Sequence, residues 1–164
     1  MMPGTNLKPF QETMVGMGQV VFGQSPIRLA SILGSCVGVS LYHPRTRHAV
    51  LAHVILPDSQ GRPQATPGKF ADTAIPHMLQ LLSQAGVPTS GLIAKLAGGS
   101  NMFGHSGPLQ IGVANGEAAV RALAGAGIRV VAQDMGGNQG RRISLDCTTG
   151  DIVIEIAGAE ARVI

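Results

Sequence analysis

Val37-Gly38-Val39-Ser40-Leu41-Tyr42, His43-Pro44-Arg45-Thr46-Arg47 and His48-Ala49-Val50-Leu51-Ala52-His53-Val54-Ile55-Leu56 run consecutively, and their reading decides the fold. The first and last segments are rich in residues that suit a pleated surface, while the middle pentad has turn chemistry with Pro44 setting φ. Residues 36 to 56 therefore predict a β-hairpin closed at Pro57-Asp58-Ser59-Gln60-Gly61. Cys36 stands at its mouth, and His53 lies on its second strand. If the reversal is centred near Pro44-Arg45, position 36 faces position 53 and the two side chains share a face. A shift of one residue separates them, and a bulge at Gly38 would restore the pairing.

Before the hairpin, residues 1 to 12 carry Pro3, Gly4 and Pro9 without periodicity, which predicts a flexible lead-in to a domain spanning 13 to 164. Met14 to Phe22 predicts a strand interrupted by Gly16 and Gly18, and Ile27 to Leu33 predicts a second. After the hairpin, residues 58 to 68 form a polar loop. Ala71, Ala74, Ile75, Met78, Leu79 and Leu82 then recur at helical spacing up to Gly86, with Asp72 as candidate N-cap and Pro76 close behind. Leu92 to Ala97 predicts a strand leading into the glycine-rich Gly98-Gly99-Ser100-Asn101-Met102-Phe103. Gly112 to Ala124 predicts a helix stopped by Gly125-Ala126-Gly127, Ile128 to Ala132 a strand, and Ile143 to Cys147 with Ile152 to Ile156 a hairpin. Two main helices among about eight strands place the chain in the α/β or α+β class, as one domain of mixed β-sheet layered with helices.

Composition narrows the function classes. The 164 residues suit one core; charged residues make up 13%, aromatic residues 3%, and the net charge is +3. Basic residues are scattered, and few aromatics are available for stacking, so nucleic acid is not the expected partner. No apolar run approaches the roughly 20 residues of a bilayer span, and Met1-Met2-Pro3-Gly4-Thr5-Asn6-Leu7-Lys8 lacks a secretory pattern, which predicts a cytoplasmic protein without membrane insertion. Its two cysteines, Cys36 and Cys147, would stay thiols there.

Ser31-Ile32-Leu33-Gly34-Ser35-Cys36 carries the candidate chemistry. Gly34, without a side chain, lets a substrate approach, and the Gly34-Ser35-Cys36 backbone offers N–H groups to an oxyanion. His53 is the candidate to take the thiol proton, and an imidazolium beside it would lower the cysteine pKa. Ser31 is a candidate third group that orients the imidazole. Its odd spacing from Cys36 puts the two on opposite strand faces unless the chain bends near Gly34. The competing reading is an inert core cysteine beside a hydrogen-bonded histidine. A metal site built from Cys36, His43, His48 and His53 is weaker, because these spacings match no structural zinc pattern. Gly98-Gly99-Ser100 lacks the rest of a phosphate-binding signature. Asp72, His77 and His105 read as caps or solvated groups. No cofactor is expected.

Taken together, several segments resemble the CheD family of chemoreceptor glutamine deamidases over about Met14 to Ile156. They are Leu33-Gly34-Ser35-Cys36-Val37, Ala52-His53-Val54-Ile55-Leu56-Pro57, Gly68-Lys69-Phe70-Ala71-Asp72-Thr73-Ala74, Ala94 to Phe103, Ile111-Gly112-Val113-Ala114-Asn115 and Gly136-Gly137-Asn138-Gln139-Gly140-Arg141. The resemblance implies hydrolysis of selected glutamine side chains on methyl-accepting chemotaxis receptors, tuning adaptation. It implies Cys36 as nucleophile, forming a thioester, and His53 as base and then acid. The family's third residue is a threonine shortly before the cysteine, and Ser31 stands nearest to that place. A CheC-type phosphatase is an implied partner. A noncatalytic adaptor that binds receptors or such a phosphatase is the alternative.

Overall fold

The hairpin forms as β4 (Val37–His43) and β5 (His48–Val54) at the heart of a computed structural model that describes residues 11–102 and 110–164. Residues 1–10 of the expected lead-in, together with Phe103 and His105, lie outside the described residues. β4 pairs with β5 antiparallel, with His43 opposite His48 and Gly38 opposite His53. The register is therefore two residues away from the pairing of 36 with 53, because all of Pro44-Arg45-Thr46-Arg47 is spent in the turn. A two-residue offset preserves the face on which each side chain lies.

Around this hairpin β2 (Val20–Gln24), β6 (Ile93–Gly98) and β7 (Arg129–Met135) complete a mixed five-stranded sheet in the order β2-β5-β4-β6-β7. A second five-stranded sheet has the order β1-β3-β8-β9-β10. Its strands are β1 (Glu12–Met14), β3 (Arg28–Leu33), β8 (Arg141–Asp146), β9 (Ile152–Glu155) and β10 (Arg162–Val163). Met14 to Phe22 is thus not one interrupted strand. Its ends pair in different sheets, separated by a turn in which Gly18 takes φ +75°. Glu12, expected in the lead-in, already pairs with Arg28.

The central strands of the first sheet, β4 and β5, are buried on both faces. Val37, Val39, Leu41, Val50, Ala52 and Val54 point toward the helices, whereas Tyr42, Ala49, Leu51 and Ala97 join Leu29, Leu33, Ile143 and Leu145 between the sheets. This gives three layers, helices over sheet over sheet, in the α+β class. α1 (Ala71–Gln84) buries Ala71, Ala74, Ile75, Met78 and Leu82, the spacing of one helical face. Each of the larger side chains contributes about 1.5–3 kcal/mol by leaving water. Phe70, not Asp72, is its N-cap residue; the Asp72 carboxylate instead accepts the Ser59 N–H at 2.9 Å and hydroxyl at 2.6 Å. Pro76 consequently sits inside the helix rather than in its first turn. α2 (Ile111–Gly125) covers the other end of the same sheet, and Gly112 is there because a Cβ would lie 2.4 Å from the Gly99 carbonyl oxygen. No described helix is long and apolar enough to cross a membrane.

Candidate active site

β3 ends at Leu33 in one sheet and β4 starts at Val37 in the other, so residues 34–36 carry the chain from sheet to sheet. That change of sheet removes the objection to Ser31, since alternation holds only along one strand. On β3, Leu29 and Leu33 face the first sheet, and Ser31 shares their parity; it is fully buried. On β5, His53 shares the parity of Ala49 and Leu51 and faces back. Across the gap the Ser31 Oγ lies 2.8 Å from His53 Nδ1.

A third group decides the protonation of the ring. Ser31 donates its hydroxyl to the Val15 carbonyl oxygen at 2.7 Å, and His53 Nδ1 lies 3.2 Å from the same oxygen. A carbonyl can only accept, and the Ser31 proton is committed to it, so Nδ1 carries its hydrogen and directs it at Val15 O and Ser31 Oγ. Nε2 is left with a lone pair, buried and without a hydrogen-bond partner among the described residues. The backbone of His53 is fixed as well, its N–H on Gln19 O at 3.0 Å and its carbonyl on the Gly18 N–H at 2.9 Å.

Cys36, half-buried, packs against the same inter-sheet cluster that His53 faces. Gly38 stands opposite His53 on the neighbouring strand. A Cβ there would come within 2.8 Å of Ile143 Cδ1, so only glycine permits this approach of the sheets. Each carbonyl of the crossing is held: Gly34 O by the Ser100 N–H (3.0 Å) and hydroxyl (2.8 Å), Ser35 O by Asn115 Nδ2 (3.1 Å), and Cys36 O by the Gly99 N–H (2.8 Å). In a trans peptide the N–H points opposite to the C=O, so the Ser35 and Cys36 N–H groups turn away from this support.

Burial pushes the Cys36 thiol above its ordinary value, opposed by the residue's own main-chain N–H. Burial also pushes His53 below its ordinary value, opposed by the Val15 hydrogen bond. Both shifts favour the uncharged forms, a neutral thiol and a neutral imidazole, whereas an imidazolium beside the sulfur would act the other way on the thiol. Nε2 makes no hydrogen bond to Cys36 Sγ in this structure, and its lone pair is left available as a proton acceptor on the cluster face that the thiol shares.

The other histidines serve elsewhere. His43 Nε2 donates to Ser90 O at 3.0 Å, and His48 stacks on Phe22 with 5.5 Å between ring centroids. Among the described residues no cluster of three or more His, Cys, Asp or Glu is arranged to hold a metal ion. A groove of roughly 480 Å3 between α2 and β7 is lined by Gly99, Val113, Gly116, Val120 and Met135, and neither Cys36 nor His53 is among its described lining residues.

The sequence model of a family described as CheD chemotactic sensory transduction matches residues 55–156. The chain belongs to the CheD family. Its CheD relatives include a protein of Methanococcus maripaludis strain C6, 37% identical over 151 residues, which are 92% of this chain and 97% of the relative. Another, from Symbiobacterium thermophilum, is 43% identical over 152 residues, covering 88% of this chain and 92% of the relative. A third, from Desulforamulus reducens, is 40% identical over 158 residues, with 93% and 95% covered. Each carries the name "Probable chemoreceptor glutamine deamidase CheD".

Sequence reasoning missed the Val15 carbonyl and the three residues that hold the crossing, Gly99, Ser100 and Asn115. A main-chain carbonyl has no sequence signature. Asn115 does have one: it is an amide in a helix otherwise dominated by alanine, glycine and valine.

Proposed function

We propose that this CheD-family chain is a cysteine-dependent protein-glutamine deamidase acting in the cytoplasm on chemotaxis receptors, with Cys36 as nucleophile, His53 as general base and acid, and Ser31 orienting the ring. The observation that carries it is the bare, buried Nε2 of His53, with Nδ1 tied to Ser31 and Val15 on the face that Cys36 shares. The names of the relatives supply the reaction class and the substrate.

His53 Nε2 takes the thiol proton as sulfur adds to the glutamine carboxamide carbon, giving a tetrahedral intermediate. Its oxyanion is received by the Ser35 and Cys36 N–H groups, beside Gly34, which leaves the approach free. The C–N bond breaks as His53 returns the proton to nitrogen, and ammonia departs from a thioester. Water, deprotonated by His53, then adds to the thioester. The thiolate leaves and is reprotonated, and glutamate is released. A neutral resting pair is compatible with this sequence, since each proton moves within one step and returns.

Incubating a receptor cytoplasmic fragment with the protein, followed by peptide mass mapping, should show glutamine converted to glutamate. Cys36→Ala should abolish the conversion; full activity in that variant overturns the assignment. Binding that survives Cys36→Ala with no product from either form is the outcome of the noncatalytic adaptor reading. A CheC-type phosphatase partner belongs to the same proposal, supported by the family resemblance, and is read by co-elution of the two purified proteins.

A further inference from the structure

We propose that Asn115 is a positioning residue for the deamidation site, bridging the nucleophile strand to the histidine strand and turning the Ser35–Cys36 peptide so that the Cys36 N–H faces the reacting sulfur and oxyanion. The inference rests on the deamidase reading above.

Asn115 is completely buried in α2. Its Nδ2 donates to Ser35 O at 3.1 Å and to Ile55 O at 2.9 Å, which uses both amide hydrogens. Ser35 immediately precedes Cys36, and Ile55 lies two residues beyond His53 where β5 has ended. No ladder pair joins β4 and β5 beyond Val37 and Val54, so Asn115 takes over where the sheet stops. Meanwhile its Oδ1 is buried with no partner among the described residues. A buried unpaired acceptor is unfavourable, so this side chain is held in place by its donors alone. Leucine would fill a comparable space and leave two carbonyls unsatisfied; aspartate would oppose them with charge.

The consequence for chemistry follows from peptide planarity. With Ser35 C=O drawn toward α2, the N–H of the same peptide, which belongs to Cys36, points to the opposite side. That N–H is the group that counteracts the effect of burial on the thiol. Released from Asn115, the peptide can rotate. The thiol and the oxyanion then lose a fixed donor, while the surface that receives the substrate is unchanged.

The test uses the full chain with Cys147→Ala, which leaves Cys36 as its single thiol. Asn115→Ala is expected to lower kcat for receptor-fragment deamidation by at least about 10-fold with KM within about twofold. It should also move the pH midpoint of Cys36 alkylation upward. Ala119→Gly loosens the same buried helix face without touching the crossing, and both readouts should stay at the parent values. Wild-type kcat and an unshifted midpoint in Asn115→Ala overturn the proposal, as does an Ala119→Gly variant that reproduces both changes. If Asn115→Ala does not fold, Asn115→Leu, which keeps the bulk and removes both donors, is read against the same criteria. If the parent protein shows no deamidation, the deamidase reading fails, while the alkylation midpoint still decides whether Asn115 controls the thiol.

Discussion

Ser31 and His53 belong to strands of different sheets and meet at 2.8 Å, so packing of one sheet on the other sets the orientation of the imidazole. Val15 O completes the arrangement and holds the Nδ1 hydrogen in place. Ser31→Ala should therefore lower kcat by roughly 10- to 100-fold, less than His53→Gln does, because Val15 remains as acceptor. KM should change little. Ser31→Thr keeps the hydroxyl on a β-branched side chain suited to a strand and should recover most of the rate. Steady-state deamidation of a receptor fragment checks all three.

The pH dependence follows from the burial of His53. The folded protein holds this ring below its ordinary value of 6.5, whereas the unfolded chain titrates near it. As pH falls through 6.5 the unfolded state takes up the proton first. Stability is accordingly full above that value and is lost as pH drops toward and through the folded pKa. Activity should share this acid limb, since a protonated Nε2 cannot accept the thiol proton. Urea unfolding and kcat/KM measured from pH 7 down to pH 5 test both, and His53→Gln should flatten this part of the stability curve.

The two thiols should separate cleanly. Cys36 is half-buried and raised above its ordinary 9.0, while burial with neighbouring Asp146 pushes Cys147 up to about 11. Iodoacetamide labelling followed by peptide mapping should modify Cys36 alone at neutral pH, slowly, with a midpoint on the alkaline side of 9.0. A plateau at neutral pH would mean a preformed thiolate–imidazolium pair and would contradict the neutral resting site.

Much of this arrangement was legible in the chain, and the misreadings have physical causes. The 36–56 hairpin was readable because apolar runs of strand length flank a proline turn. Its register was not, since turn length alone decides it; yet the two-residue offset left Cys36 and His53 on one face. Ser31 looked misplaced because alternation was applied across Gly34-Ser35-Cys36, where the chain changes sheets. Met14 to Phe22 looked like one strand because glycines mark an interruption without revealing a change of partner. β10 is two residues long, too short to leave a pattern. The direction of the Gly34-Ser35-Cys36 peptides was not legible, because their carbonyls are held by Gly99, Ser100 and Asn115, which are far away in sequence.

Gly38 links the fold to the site more tightly than its lack of side chain suggests. A Cβ would press on Ile143 Cδ1 at 2.8 Å and Leu33 Cδ1 at 3.0 Å, both in the cluster between the sheets. Gly38→Ala should cost about 1–3 kcal/mol of stability, the usual range for overpacking. The strain falls directly opposite His53, so the Ser31–His53 contact should loosen and kcat should fall further than stability alone explains. Denaturant titration and kcat measured well below the unfolding midpoint separate these effects.

Arg141 supports the same site from its far side. Its guanidinium is buried and donates to Asp134 O at 2.7 Å, to Asp134 Oδ1 at 2.5 Å and to Gly136 O, while Arg162 meets the other carboxylate oxygen at 2.7 Å. The loop it holds is stitched to the next one, Gly136 N–H to Gly98 O at 2.9 Å and Asn101 N–H to Gly137 O at 2.8 Å. From there Gly99 and Ser100 reach the carbonyls of Cys36 and Gly34. Arg141→Ala leaves Asp134 paired with Arg162 alone and removes the donor to the Asp134 and Gly136 carbonyls, so it should destabilise the protein by about 1–3 kcal/mol. Arg141→Lys keeps the charge but cannot serve a carboxylate and two carbonyls with one planar fork, and it should lose roughly half as much. Urea titrations give both values. If Arg141→Lys matches the parent, charge alone holds the loop, and the geometry of the fork has no part in supporting Cys36.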